Sequence, residues 1–281
     1  MTIKHTPTIP STKLIVDNLL MFWSHLDVEL QFSSAYTLYF SNIAFPLFNG
    51  VISTRLTSRN ARDHVERVIQ YFKSKKTPFC WWLDPLATPE DLDRILAEYG
   101  LSHLGFFTGW SLKLSRSAFL HKAQNELTID LIDDNEMMQS WLEIMQENYD
   151  LSPKIVNDIS TLYSQQSSEN QMPFRQFLAR LNGKPVGIGT LFIYEESAGI
   201  YDLCVLPEVR CKGIGAAIVE EMLRYSEACG CRTAIAVAPS KGRGVFHPLG
   251  FQKQGQFSIY KWPSEAVLFK NPNPYINNPG V

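Results

Sequence analysis

The chain has 281 residues, 45% hydrophobic and 12% aromatic, which is apolar mass for one large domain or two ordinary ones and excludes a disordered or fibrous chain. Its 26 Lys+Arg against 28 Asp+Glu leave a formal net charge of −2, so no global field draws in nucleic acid or an anionic membrane, and any anion site must be local. Five cysteines, at 80, 204, 211, 229 and 231, form an odd set without a C-x-x-C pair; neither a disulfide framework nor a metal site is expected, and the cytoplasm is the simplest location.

In chain order, "KLIVDNLLMFW" from Lys13 is interrupted by Asp17 and Asn18 and has apolar positions at helical spacing. It predicts a packed amphipathic helix, not a cleaved leader or a span, since no run nears the ~18 apolar residues a bilayer needs. Next come "FNGVISTRL", "ARDHVERVIQYF", "FCWWLDP" and "EYGLSHLGFFTGWSLKL", a strand, helix, strand and closing strand in order.

The second half opens with a strand at 127–132, then helices at 134–149 and 154–167. "FLARLNGKPVGIGTLFIY" holds two extended segments around Asn182-Gly183, a dipeptide that takes the positive φ angles of a tight hairpin. "EESAG" is too short for a crossover, so "IYDLCVL" continues the antiparallel run. A helix is predicted from about Gly213 to Cys229, because Ile214, Ile218, Met222 and Tyr225 recur at three or four residues, and Gly230 suits its C-terminal cap. "TAIAVA" at 233–238 then lies parallel to "IYDLCVL" by strand–helix–strand order, and "FSIYKW" is a last strand.

The first half resembles a worn copy of the second. Gly100, Gly105 and Phe107 fall opposite Gly250, Gly255 and Phe257, and the strands and helix upstream align at nearly the same offset.

The stretch "VRCKGIGAAIVEEML" at 209–223 sets two glycines and two cations at a helix mouth. Unpaired N–H groups there carry partial positive charge, and glycines let a phosphate approach the main chain. A P-loop is excluded because the lysine precedes the glycines and no Ser or Thr follows. A dinucleotide fingerprint is excluded because the third glycine is missing and "AIAVAPS" supplies no acid.

Together with "GVFHPLGF" downstream, the stretch "VLPEVRCKGIGAAIVEEML" resembles the GNAT superfamily of acyl-CoA-dependent N-acyltransferases, whose signature is R/Q-x-x-G-x-G/A followed by a Gly-Phe motif. Arg210, Gly213 and Gly215 occupy the signature positions. The chain also resembles the subset with a degenerate GNAT half at the N-terminus. The implied fold is α/β with a mixed sheet: two GNAT-like halves, mostly antiparallel strands with one parallel splayed pair in each. The implied domains are 1–120, without a phosphate loop, and 126–265, with a tail at 266–281.

The resemblance further implies acetyl-CoA as cofactor. Backbone amides of Cys211, Lys212, Gly213, Ile214, Gly215 and Ala216 would cradle its pyrophosphate, Arg210 and Lys212 would add charge, and Leu203, Cys204 and Val205 would pair with the pantetheine arm. The matching loop of the worn copy, "LTSRNARDH", has no glycine pair, so one cofactor site is expected.

Acyl transfer to an amine needs the amine neutral and the leaving thiolate tolerated or protonated. The family often supplies that proton from a tyrosine four residues before the glycine of the Gly-Phe motif; here Phe246 stands there. Three readings stay open: the acid is dispensable, because a thiol of pKa about 8.5 leaves readily; another residue such as His247 replaces it; or catalysis is lost and acyl-CoA binding kept. Asp202 is the candidate base, with an ion-pairing role as its alternative, and Tyr149 is either a lining residue of the acceptor pocket or a core aromatic. Covalent catalysis on Cys204 or Cys211 lacks a Cys–His pair. Of Trp81 and Trp82, only one can line any one pocket, because neighbours on a strand face opposite sides; Asn49 is the other prominent residue of that half.

The expected function is N-acetyl transfer from acetyl-CoA to a primary amine of a small molecule by direct attack in a ternary complex, with no nucleic-acid or membrane partner. The rivals are a non-catalytic acyl-CoA sensor, and an acyltransferase for longer acyl groups or a protein lysine.

Overall fold

The computed structural model describes residues 9–26, 28–114, 126–164 and 173–264; the tail expected at 266–281 and the last three residues of the helix expected at 154–167 lie outside them. In chain order the elements are α1 (Ile9–His25), β1 (Glu29–Phe32), β2 (Thr37–Phe40), β3 (Asn49–Ile52), α2 (Ala61–Lys75), β4 (Phe79–Leu83), α3 (Leu92–Glu98) and β5 (Ser102–Lys113). There follow β6 (Leu127–Leu131), α4 (Asn135–Tyr149), α5 (Pro153–Ser164), β7 (Phe174–Leu181), β8 (Lys184–Tyr194), β9 (Ser197–Val205), α6 (Ile214–Ala228), β10 (Thr233–Pro239), α7 (Arg243–Phe246) and β11 (Gln252–Trp262). The fold is mixed α/β, with mostly antiparallel strands and a parallel pair in each half. None of the described helices is long and apolar enough to cross a membrane.

Two compact units divide the chain. One holds the described residues up to Gly109 together with those from Gln254 onward; the other holds Trp110–Lys253.

In the first unit the strand order is β1-β2-β3-β4-β11-β5. β2 and β3 pair antiparallel, β3 and β4 pair parallel across the α2 connection, and β11 closes against β4 with Ser258 opposite Leu83 and Trp262 opposite Phe79. "FSIYKW", which follows the second half in sequence, therefore completes the first unit's sheet. Val65, Val68, Ile69 and Phe72 of α2, spaced three or four apart, bury one stripe against Phe79 and Trp81. As the period predicts, α1 is an amphipathic helix that buries Ile15, Val16, Leu19, Leu20, Phe22 and Trp23.

In the second unit the order is β10-β9-β8-β7-β6. β6 to β9 form the antiparallel meander, with the β7–β8 turn at Asn182 (φ 52°) and Gly183 (φ 76°), as the Asn-Gly dipeptide predicts. α4 begins at Asp134, whose carboxylate accepts from the Met137 amide at 2.7 Å. α6 buries Ile214, Ala217, Ile218, Val219, Met222 and Leu223 in a core shared with Phe177, Leu191, Ile200, Ala234 and Ala236, and β10 then pairs parallel to β9.

Candidate active site

Two departures from regular pairing place the site on β9. First, the register with β8 passes from Cys204↔Ile188 to Tyr201↔Thr190, so β9 carries one extra residue, a bulge at Asp202–Leu203. Asp202 takes a left-handed conformation there, with φ 50°, a region uncommon for residues other than glycine but one that aspartate enters more readily than most. Second, the parallel register with β10 runs from Ser197↔Thr233 to Ile200↔Ala236, while β9 continues to Val205 and β10 to Pro239. The two strands leave register just where the bulge turns β9, which is the splayed pair the family resemblance implied.

The loop after β9 delivers α6 to this opening. Cys211 has φ 60°, and Gly213, the N-cap of α6, has φ 80° and ψ −2°. A β-carbon at Gly213 would meet no atom within 4 Å, so the glycine answers to the backbone twist and leaves open space over the helix mouth. Residues 211–213 are exposed. Amides and open space together fit a pyrophosphate.

Arg210, by contrast, is committed to the protein. Its Nε donates to the Val205 carbonyl at 2.9 Å and its Nη2 to Asn148 Oδ1 at 2.7 Å. It ties the end of β9 to α4, so any help to an anion is long-range charge, and it occupies one acceptor of the edge expected to receive a pantetheine arm.

Around Asp202 lies a group of polar side chains that sequence spacing does not connect. Tyr163 of α5 donates its hydroxyl to Asp202 Oδ2 at 2.7 Å. Burial pushes the Asp202 carboxyl above the usual range, and the bond donated by the Tyr163 hydroxyl partly offsets that rise. Burial, then the Asp202 charge, hold the Tyr163 and Tyr201 phenols well above 10. Cys204 is buried, and burial pushes its thiol up to about 12, opposed by a hydrogen bond with Tyr149. A thiol so hard to ionise is a poor nucleophile, which weighs against an acyl-cysteine there. Tyr149, at the end of α4, thus belongs to the polar group.

The C-terminal candidates are placed elsewhere. Phe246 is buried, stacked on Trp110 at 6.2 Å and edge-on to Phe251 at 5.1 Å. His247 is exposed, and among the described residues no hydrogen bond, ion pair or ring contact joins its side chain to the Asp202 group.

The first unit's counterpart of the opening is stitched shut. Beyond β3 and β4, Thr88 N donates to Thr54 O at 3.2 Å and Leu56 N to Thr88 O at 3.1 Å, and Arg55 grips buried Asp84 through two bonds of 3.1 Å. A β-carbon on Gly50 would lie 2.0 Å from the Cys80 carbonyl oxygen, so β3 and β4 approach closely there. The prominent residues of this half are structural: Trp81 Nε1 donates to Thr54 Oγ1 at 2.9 Å, Trp82 Nε1 to Tyr39 Oη at 2.8 Å, and the Asn49 amide to the Ile43 and Phe45 carbonyls.

Residues 136–251, within the second unit, match the acetyltransferase (GNAT) family, whose members transfer acyl groups from acyl-CoA. No curated protein matches the chain. Among solved structures, the chain is similar to a GCN5-related N-acetyltransferase from Kribbella flavida, at 13% identity and a TM-score of 0.65 over 89% of this chain and 95% of that one. It is also similar to one from Sphaerobacter thermophilus, at 11% identity and 0.65 over 87% and 84%. A tandem GNAT protein from the clavulanic acid biosynthesis pathway matches at 12% identity and 0.54 over 91% and 97%. At these identities the likeness is one of fold, and it extends over both units.

Proposed function

We propose that the second unit is an N-acetyltransferase that moves an acetyl group from acetyl-CoA to the primary amine of a small molecule, by direct attack in a ternary complex. The observation that carries this reading is the pairing of the open Gly213 helix mouth with a half-buried carboxylate, Asp202, at the bulge of the strand that precedes it. Bound acetyl-CoA supplies the activated thioester; the chain's residues bind, orient and manage protons. The amides from Cys211 to Ala216 hold the pyrophosphate, with charge from Lys212 and, at longer range, Arg210. The bulge turns β9 away from β10 and leaves the backbone from Leu203 to Val205 to orient the pantetheine arm. Asp202 takes the proton from the ammonium form of the acceptor, and its burial brings the carboxyl nearer the operating pH, where a general base works best. Phe246, in the core, takes no part in proton transfer.

A sensor that binds acyl-CoA without turnover is the second reading, favoured by the burial of Phe246 where the family often has tyrosine. Melting the protein with acetyl-CoA tests both readings, since ligand at 100 times its Kd adds about 2.7 kcal/mol, and no shift with any CoA ester contradicts both. Thiol release with a panel of small amines then separates them: a blank across the panel favours the sensor. Gly213→Glu sets bulk and negative charge over the cradle and is expected to abolish the shift.

A further inference from the structure

We propose that Tyr163 is a positioning residue for the reaction: its hydroxyl, held rigidly by α5, fixes the Asp202 carboxylate at the bulge and sets the pH range in which that carboxylate accepts a proton. This rests on the reading of Asp202 as the base.

The geometry leaves Tyr163 little freedom. Its side chain is 1% exposed, with the ring packed on Trp141 at 5.2 Å and edge-on to Phe174 at 6.3 Å. A hydroxyl at 2.7 Å from a carboxylate oxygen donates to it, and a hydrogen bond to a charged acceptor is among the stronger ones. The groups facing Asp202 are Tyr163 from α5, Thr190 from β8, and Tyr201 and Cys204 from its own strand, with Tyr149 of α4 and Arg210 of the loop meeting the same group through Cys204. Among the described residues no cation forms an ion pair with Asp202, so the Tyr163 hydroxyl rather than a salt bridge stabilises its charge. A carboxylate kept in a left-handed bulge without a counter-ion is costly to fold around, and the Tyr163 hydroxyl is the contact that resists its rotation and its protonation. The residue lies 39 positions from Asp202 in the chain, on a helix whose apolar pattern marks Tyr163 only as core.

The test does not need the acceptor. Protein carrying ¹³C at aspartate side chains is titrated by NMR, with the Asp202 resonance assigned by its loss in Asp202→Asn. Removing the donated bond in Tyr163→Phe should raise the Asp202 midpoint by about one pH unit, about tenfold in proton affinity. Replacing Tyr163 with 3-fluorotyrosine, a stronger donor of nearly equal size, should lower it, and this keeps the test decisive if the phenylalanine variant fails to fold. A merely structural tyrosine would not move the midpoint in opposite directions, and a midpoint unmoved in the folded variants would overturn the proposal. Turnover of whichever panel amine responds is measured alongside. Activity surviving in Asp202→Asn would overturn the base assignment, leaving the titration to report on the Tyr163 contact itself.

Discussion

Alanine at the two signature glycines, two residues apart, should have opposite effects. Gly213 sits at φ 80° with no atom within 4 Å of a β-carbon, so Gly213→Ala meets no clash and pays only for the left-handed backbone, about 1–2 kcal/mol. Gly215 lies in the first turn of α6 without positive φ, and its β-carbon would rest 3.4 Å from Val245 and 3.8 Å from Val205, ordinary contact distances. Gly215→Ala should therefore stabilise by about 0.5 kcal/mol through reduced freedom of the unfolded chain and better helix propensity. At about 3 °C per kcal/mol for a unit of this size, Gly213→Ala should melt about 3–6 °C below the parent and Gly215→Ala about 1–2 °C above it. Urea titration of the same variants checks that the shifts reflect stability and not altered cooperativity. Acetyl-CoA binding should survive in Gly215→Ala and weaken in Gly213→Ala, whose loop must relax. Equal melting of the two variants would refute the argument that backbone twist, not space, reserves position 213 for glycine.

Asp202→Asn should stabilise the protein near neutral pH while removing about 10²-fold or more of any acetyl transfer. The sign follows from the carboxyl being raised by burial: the folded state holds the proton more tightly than the unfolded one, so Asp202 favours folding only below its unfolded pKa, and that contribution is lost as pH rises through the folded pKa. The stability gap between the variants should open over that window and close in acid, as denaturation at several pH values would show; a gap widening in acid would contradict the assignment. Arg55→Ala strands the buried Asp84 carboxylate, which is 3% exposed, and should cost about 3–5 kcal/mol by denaturant titration. At pH 8, iodoacetamide should alkylate exposed Cys211 and Cys229 well before Cys204, whose thiol stands at about 12; peptide mass mapping reads the order, and early loss of Cys204 would show the site to be open.

Regular elements were legible because their signals are local. The Asn182-Gly183 hairpin, the α6 stripe and the parallel β10 all follow from spacing within a few residues, and the GIG loop names its helix mouth. The Asp202 bulge was hidden because nothing in "IYDLCVL" marks an extra residue; the mismatch exists only against Thr190 and Ile188 on β8. The same holds for Tyr163, which meets Asp202 through tertiary packing, and for Arg210, whose charge suggested an anion while its geometry serves Val205 and Asn148. Phe246 was legible as a departure from the family pattern, but its place between Trp110 and Phe251 was not.

The position of β11 has a bearing on synthesis. Ser258 pairs with Leu83 and Trp262 with Phe79, partners 175 and 183 residues apart in the chain, and Phe257 and Ile259 are buried on that strand. Emerging from a ribosome, the amino-terminal unit must wait with β4 unpaired on one side until nearly the whole polypeptide has been made, while the unit between them has all its strands in hand sooner. Non-local pairing of this kind slows folding and leaves a strand edge exposed meanwhile, so a chaperone would meet this protein first at the Phe79–Leu83 edge, and a translation product ending before residue 252 would lack the strand that closes the first unit's sheet.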